Sequence, residues 1–188
     1  MKSLSLSLAL VLGAAPLSAQ FGGFCQSGQQ CDFFSEVGYA YRLNNDPLSS
    51  GFDHSILFES GILSYPSREV GVGASGFWGV DFAGHMRTGL KFRMRRLFGR
   101  AKLDAGIGAI FIDSRGFSPS FVADLGFSPV KPVTVVGTLE VIRRGNGRDE
   151  AWWYVGARVG RDSTEPDAFG TVILGAGVVA TIIRSIVW

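Results

Sequence analysis

His54, Ser55 and Glu59 bring an imidazole, a hydroxyl and a carboxylate close together in the chain, the residue types from which acyl-transfer sites are built. Their spacing works against that chemistry. They lie in a stretch of alternating residues, and neighbouring side chains of a strand point to opposite faces, so His54 and Ser55 do not converge. Gly71-Val72-Gly73-Ala74-Ser75-Gly76 matches the dinucleotide-binding pattern letter for letter, but that motif needs a helix opening at the glycines. Here Phe77-Trp78-Gly79-Val80 follows and the alternation carries on. The two histidines, His54 and His85, fall at loop edges on the same side, where solvated side chains are the plainer reading than a metal pair. No catalytic residue, cofactor or metal is expected.

The remaining chemistry is that of charges and thiols. Cys25 and Cys31 frame a short polar run, and in an oxidising compartment such a pair favours one small-loop disulfide over two free thiols. Arg143, Arg144 and Arg148 crowd a stretch that also carries Asn146-Gly147; contact with anionic headgroups is one reading, a solvated hairpin tip the plainer one. The largest set of charges lies elsewhere. From His85 to Leu97 two sequences interleave, with Arg87, Gly89, Lys91, Arg93 and Arg95 on one set of positions and Met86, Thr88, Leu90, Phe92 and Met94 on the other. This is a strand with one charged and one apolar face.

The elements that must carry these faces follow from the rest of the chain. Met1-Lys2-Ser3, an uncharged apolar run from Leu4 to Leu17 and the small residues Ser18 and Ala19 have the layout of a secretory signal peptide, which makes residues 1–19 a leader and residues 20–32 a short segment with the cysteine pair. The formal net charge of +2 includes Lys2 of that leader, so no global field points to nucleic acid. Twenty-six glycines and 15 phenylalanines suit an all-β chain.

Period-two alternation recurs in eight segments: Phe33 to Arg42, His54 to Leu63, Arg68 to Trp78, His85 to Leu97, Ala101 to Ile112, Phe117 to Phe127, Val133 to Ile142 and Ala151 to Arg161. Each has about the 9 to 11 residues that a tilted strand needs to cross a bilayer. Longer connections are expected after the first, third and seventh segments and tight turns after the second, fourth and sixth, the habit of membrane barrels. The polar positions carry Glu36, Glu59, Glu69, Asp104, Asp124 and Glu140 against Arg42, Arg87, Lys91, Arg93, Arg95, Lys102 and Arg158, six acids against seven bases. Near-cancellation suits the inside of a narrow barrel, where a buried charge must be paired. Gly71, Gly73, Gly106, Gly108, Gly126 and Gly156 on the same face would leave room for long side chains. Phe33, Trp78, Phe111, Phe117, Phe127, Trp152 and Trp153, near segment ends, are placed as aromatic girdles.

On these patterns residues 33–161 resemble the small eight-stranded outer-membrane barrels, the type formed by the membrane domain of outer membrane protein A. Trp153-Tyr154-Val155-Gly156-Ala157-Arg158-Val159-Gly160 looks like the closing strand that the barrel-assembly machinery reads in that family, although the chain continues past the usual aromatic end. The resemblance implies an eight-stranded antiparallel up-and-down transmembrane β-barrel in the outer membrane, monomeric and in contact with lipid, both chain ends on the periplasmic side. Residues 162–188 form a polar linker and an uncharged apolar run, Ala168 to Ile183, for which a buried or membrane-associated helix and a true last strand ending at Trp188 are rival readings.

The expected role is structural, adhesive or narrowly conducting, without catalysis, the lumen filled by paired charges. A soluble exported barrel or sandwich that binds a small apolar ligand is the second reading, and a lipid-modifying barrel enzyme built on His54 the third.

Overall fold

The computed structural model describes residues 30–44, 54–82, 84–113, 120–130, 132–143 and 149–163. Eight strands follow one another: β1 (Gln30–Arg42), β2 (His54–Tyr65), β3 (Val70–Asp81), β4 (Met86–Phe98), β5 (Ala101–Asp113), β6 (Ser120–Val130), β7 (Val133–Arg143) and β8 (Asp149–Ser163). Each pairs antiparallel with its sequence neighbour, and β8 returns to β1 from Phe33 opposite Ser163 to Arg42 opposite Tyr154, so the sheet closes without edges. Leu43 extends the seam by donating to the Trp153 carbonyl at 2.7 Å, and Asn44 accepts from the Trp153 amide at 2.9 Å. The expected all-β, eight-stranded up-and-down barrel is what the chain forms.

Most strands outrun the expected segments, because backbone pairing continues where the alternation of side-chain type fades. Strand β2 goes on to Tyr65, β3 to Asp81 and β8 to Ser163. The connection after β3 is accordingly shorter than expected: Asp81 and His85 exchange backbone and side-chain hydrogen bonds across a turn made possible by the positive φ of Gly84. β4 turns into β5 over Gly99 and Arg100, Gly99 supplying the second positive φ. Pro129 lies where the β6–β7 register shifts between Phe127 and Val130, as a residue without an amide hydrogen must. Phe111 is the extra residue of a second shift, since Thr88 faces Ile112 and Gly89 faces Ile110.

One rim therefore carries the chain ends of the barrel and the tight turns, and the opposite rim carries the other connections. The proposed loop arginines Arg144 and Arg148, and Phe117 of the expected girdle, lie outside the described residues, as do the apolar run 168–183 and Cys25. Cys31, at the start of β1, is disulfide-bonded; Cys25 is the only other cysteine in the sequence.

Candidate functional site

Alternation puts one row of each strand into the lumen. Gly38, Leu57, Phe77 and Gly79 stand on the inward rows of the first three strands, and the odd positions of β4 continue inward with Arg87, Gly89, Lys91, Arg93 and Arg95. Eleven of the thirteen charges expected there are buried: Glu36, Glu59, Arg87, Lys91, Arg93, Arg95, Lys102, Asp104, Asp124, Glu140 and Arg158.

Nine of them, all but Arg87 and Glu140, meet in one cluster through the middle and the turn-side half of the barrel. Lys91 sits between Glu59 at 2.8 Å and Asp124 at 2.6 Å. Arg93 reaches Glu59 at 3.0 Å, Asp124 at 3.2 Å and Glu36 at 3.4 Å. Arg158 comes across from β8 to Asp124 at 3.0 Å and Glu59 at 3.5 Å. Below them Arg95 holds Asp104 at 2.6 Å and Asp162 at 2.7 Å, and Lys102 lies within 3.7 Å of both Glu36 and Asp104. Acids and bases are thus shared rather than matched one to one. Ser75 donates to Glu59 at 2.6 Å and fills a further acceptor site. Gly106 makes the space: a Cβ there would stand 2.8 Å from Asp124 Oδ1.

Toward the loop rim the arrangement thins. Arg87 pairs with Glu140 at 3.0 Å and donates to Ser55 at 3.2 Å, with the Tyr154 ring 5.4 Å below its guanidinium. A cavity of ≈ 20 Å³ adjoins this pair, lined by Ser55, Leu57, Arg87, Glu140, Tyr154 and Arg158 among others, room for about one water molecule.

One expected member does not belong. Glu69 is exposed in the turn before β3, because pairing starts at Val70; its carbonyl accepts from Leu97 at 2.7 Å. Arg42 keeps the inward row at the loop rim, opposite Tyr154, where it is half-buried and its guanidinium stacks 4.9 Å over Trp152. Trp152, expected in a girdle, is instead buried in the lumen; the register gives its neighbour Trp153 the outward position. Asp162 is a member that the sequence reading left in the linker, although the inward period Arg158, Gly160, Asp162 reaches it without a break.

The sequence reading also missed the apolar half of the lumen. Phe34, Leu63 and Tyr65 pack with Leu97 near the turn rim, Phe77, Ile110 and Val122 with Leu57 higher up, and Ile142, Trp152 and Tyr154 with Ala40 at the loop rim. These rings lie against the charges: Arg93 and Arg95 are 5.3 Å and 5.4 Å from the Phe34 ring, and Lys91 is 4.7 Å from Phe77. What the arrangement can do chemically is hold itself: it is a plug of paired charge and aromatic surface.

The other candidate groups stay apart. His54 lies on the outward row, where its Nδ1 meets the Tyr39 hydroxyl at 2.5 Å and its ring stacks with Tyr39 at 5.5 Å, while Ser55 and Glu59 are buried inside. His85 pairs with Asp81 at 3.2 Å. Among the described residues no group of histidine, cysteine or carboxylate side chains could hold a metal ion. The glycines of Gly71 to Gly76 run through the middle of β3, and no helix follows them.

No protein-family model and no curated protein matches the chain. Among solved structures, the outer membrane protein Ail of Yersinia pestis in a phospholipid bilayer nanodisc is similar at 13% identity and a TM-score of 0.42, with 69% of this chain and 99% of that one covered. Ail in complex with the heparin analogue sucrose octasulfate gives 14%, 0.40, 70% and 99%. A de novo designed transmembrane β-barrel gives 8%, 0.40, 73% and 98%.

Proposed function

We propose that the chain is an outer-membrane barrel protein with a sealed lumen, structural or adhesive in role, which meets lipid along its strands and offers only its rims to other partners. One observation carries this reading: the barrel is inside out relative to a soluble one. Leu90, Phe92 and Leu125 are 56%, 56% and 58% exposed on the outer face, while Lys91 and Arg93, between and beside them on β4, are buried. An apolar surface on that scale is unstable in water and ordinary in hydrocarbon. On β4 the outward run from Met86 to Met94 spans eight residue steps, about 27 Å along the strand and about 21 Å along the barrel axis at a tilt of about 40°, close to the expected apolar band. Arg96 bounds the band, folded over the Phe98 ring at 4.9 Å, as an interfacial anchor does.

A soluble carrier of an apolar ligand would need the opposite arrangement, an empty apolar lumen under a polar exterior. Here charge fills the lumen. A lipid-modifying enzyme would need His54 to meet its partners on one face, and Ser55 and Glu59 turn the other way. Insertion by the barrel-assembly machinery through β8, function as a monomer and the absence of a steady conductance belong to the same proposal.

The test is membrane fractionation with gel migration before and after boiling. Recovery in the membrane fraction with a heat-dependent shift is expected; a soluble, unshifted protein would overturn the reading. Steady large single-channel currents in a planar bilayer would overturn the sealed lumen alone.

A further inference from the structure

We infer that the outer face of β2 and β3 is a docking face for the apolar segment 168–183 of the same chain, so that this sector of the barrel is shielded from lipid while the rest is not. The observation is an anomaly of burial. Register places Phe58, Ile62 and Ser64 on the outward row of β2, opposite Trp78, Ala74 and Val72 of β3. Phe58 and Ile62 are nevertheless only 4% exposed.

Neighbouring strands do not account for this. Ile62 stands between Phe33 and Ala74; Phe92 stands between Ala74 and Ile107, a comparable setting, and is 56% exposed. Cover must come from outside the sheet. Trp78 agrees: it lies on the outward row of β3, yet its Nε1 is buried and finds no hydrogen-bond partner among the described residues. Between the large residues the face is low, with Ser60 opposite Gly76 and Ile62 opposite Ala74. Ser60 spends its hydroxyl within the sheet, on the Phe34 carbonyl at 3.2 Å and beside the Ser35 hydroxyl at 3.3 Å, so the face asks nothing polar of an occupant at that point.

The chain supplies an occupant of the right chemistry and reach. β8 ends at Ser163, opposite Phe33 of β1, and Phe33 faces Ile62 of β2. Two strand spacings, about 10 Å, separate the exit of β8 from the covered row. Residues 164–167 span up to about 13 Å when extended, enough to cross β1. Beyond them the sequence carries no charge from Ala168 to Ile183 and is rich in small residues, Gly170, Gly175, Ala176 and Gly177. The N-terminal segment also leaves beside β2, since Gln30 faces Tyr65, but its apolar run, Leu4 to Leu17, is that of the expected leader, and Gln20 and the run from Gln26 to Gln30 make the remainder the more polar choice.

Two measurements test this on the full chain. In vesicles of phosphatidylcholine carrying a diazirine on one acyl tail, photolysis of the wild-type protein should label peptides holding Leu90, Phe92 and Leu125 at least tenfold more than the peptide holding Phe58 and Ile62. Equal labelling of the two sectors would overturn the inference. Absence of label everywhere would instead overturn the membrane reading, leaving the second measurement to decide. In that one, Ile62→Cys is combined with Val172→Cys or Ala176→Cys and treated with a short bis-maleimide, with Leu125→Cys in the same combinations as the control. Intramolecular cross-links at position 62, at least tenfold above those at position 125, are expected. With Gln20→Cys in place of the tail cysteine, a yield from position 62 equal to that of the tail pairs would overturn it, as would links to a second copy of the chain or equal yields at the two positions.

Discussion

Arg93 and Arg87 stand on the same face of the same strand, six residues apart, and are held in different ways. Arg93 lies among Glu59, Asp124 and Glu36, each of which also serves Lys91 or Arg158 or Lys102. Arg87 rests on Glu140, Ser55 and the Tyr154 ring beside a water-sized cavity. The difference teaches how a narrow barrel tolerates charge. A buried ion pair outside such a shared set gains about what its desolvation costs, so it stays close to neutral. In a shared cluster every acid lowers the energy of several bases at once, and none can leave without exposing the others to an apolar lumen.

The sharpest way to break this comparison is to remove an acid from the shared cluster. Asp124→Ala strips Lys91, Arg93 and Arg158 of a common partner. A loss of about 3–5 kcal/mol is expected, the cost of leaving buried charge uncompensated. Urea unfolding of the protein in lipid vesicles, followed by the heat-dependent gel shift, reads it. A loss under 1 kcal/mol would mean that water reaches the cluster and that the lumen is wetter than its packing implies.

The next effect separates lumen from exterior at adjacent positions. Leu90→Arg places a cation one residue from Lys91 but on the outer face. Near the bilayer midplane this costs about 2–4 kcal/mol. The same urea titration should show the loss in vesicles and a smaller one in detergent micelles, whose surface lies closer. An unchanged midpoint in vesicles would put position 90 outside hydrocarbon.

A smaller effect probes the room that the cluster needs. Gly106→Ala drives a Cβ against Asp124 Oδ1, which Lys91 and Arg93 hold in place, and a loss of about 1–3 kcal/mol is expected from overpacking. Gly137→Ala, on the outer face where a Cβ meets nothing within 4 Å, is the control and should not lower the midpoint.

How much of this could be read in the residues follows from what alternation does and does not encode. Period two identified eight strands and sorted Lys91 from Leu90, because charged and apolar residues alternate wherever the two faces meet different surroundings. It located most of the cluster for the same reason. It was silent where the lumen is apolar: Phe34 and Phe77 read as ordinary barrel residues, and only three-dimensional register shows them beneath Arg93 and Lys91. It misplaced Glu69 by one residue of pairing, and it lost Asp162 because a run of polar residues ends the alternation before the strand ends. The covered face at Phe58 and Ile62 had no signal at all, since an outward apolar residue looks the same under lipid and under another segment.

The comparison is sharpened most by a substitution expected to do little. Arg87→Met together with Glu140→Leu replaces the loop-side pair by apolar side chains of similar volume beside Ile142, Trp152 and Tyr154, which already pack as an apolar cluster. Exchanging a matched buried pair for well-packed hydrophobic residues is often neutral or stabilising, by up to about 4 kcal/mol. The unfolding midpoint of this double variant should equal or exceed that of the wild type. Glu140→Leu alone, which leaves the Arg87 guanidinium without its carboxylate, should be the weaker of the two. The same exchange below it is not self-contained: replacing Asp124 and Lys91 together also takes a partner from Arg93 and from Arg158. If Arg87→Met with Glu140→Leu proved as damaging as Asp124→Ala, the two halves of the lumen would be one network, and sharing would not be what distinguishes them.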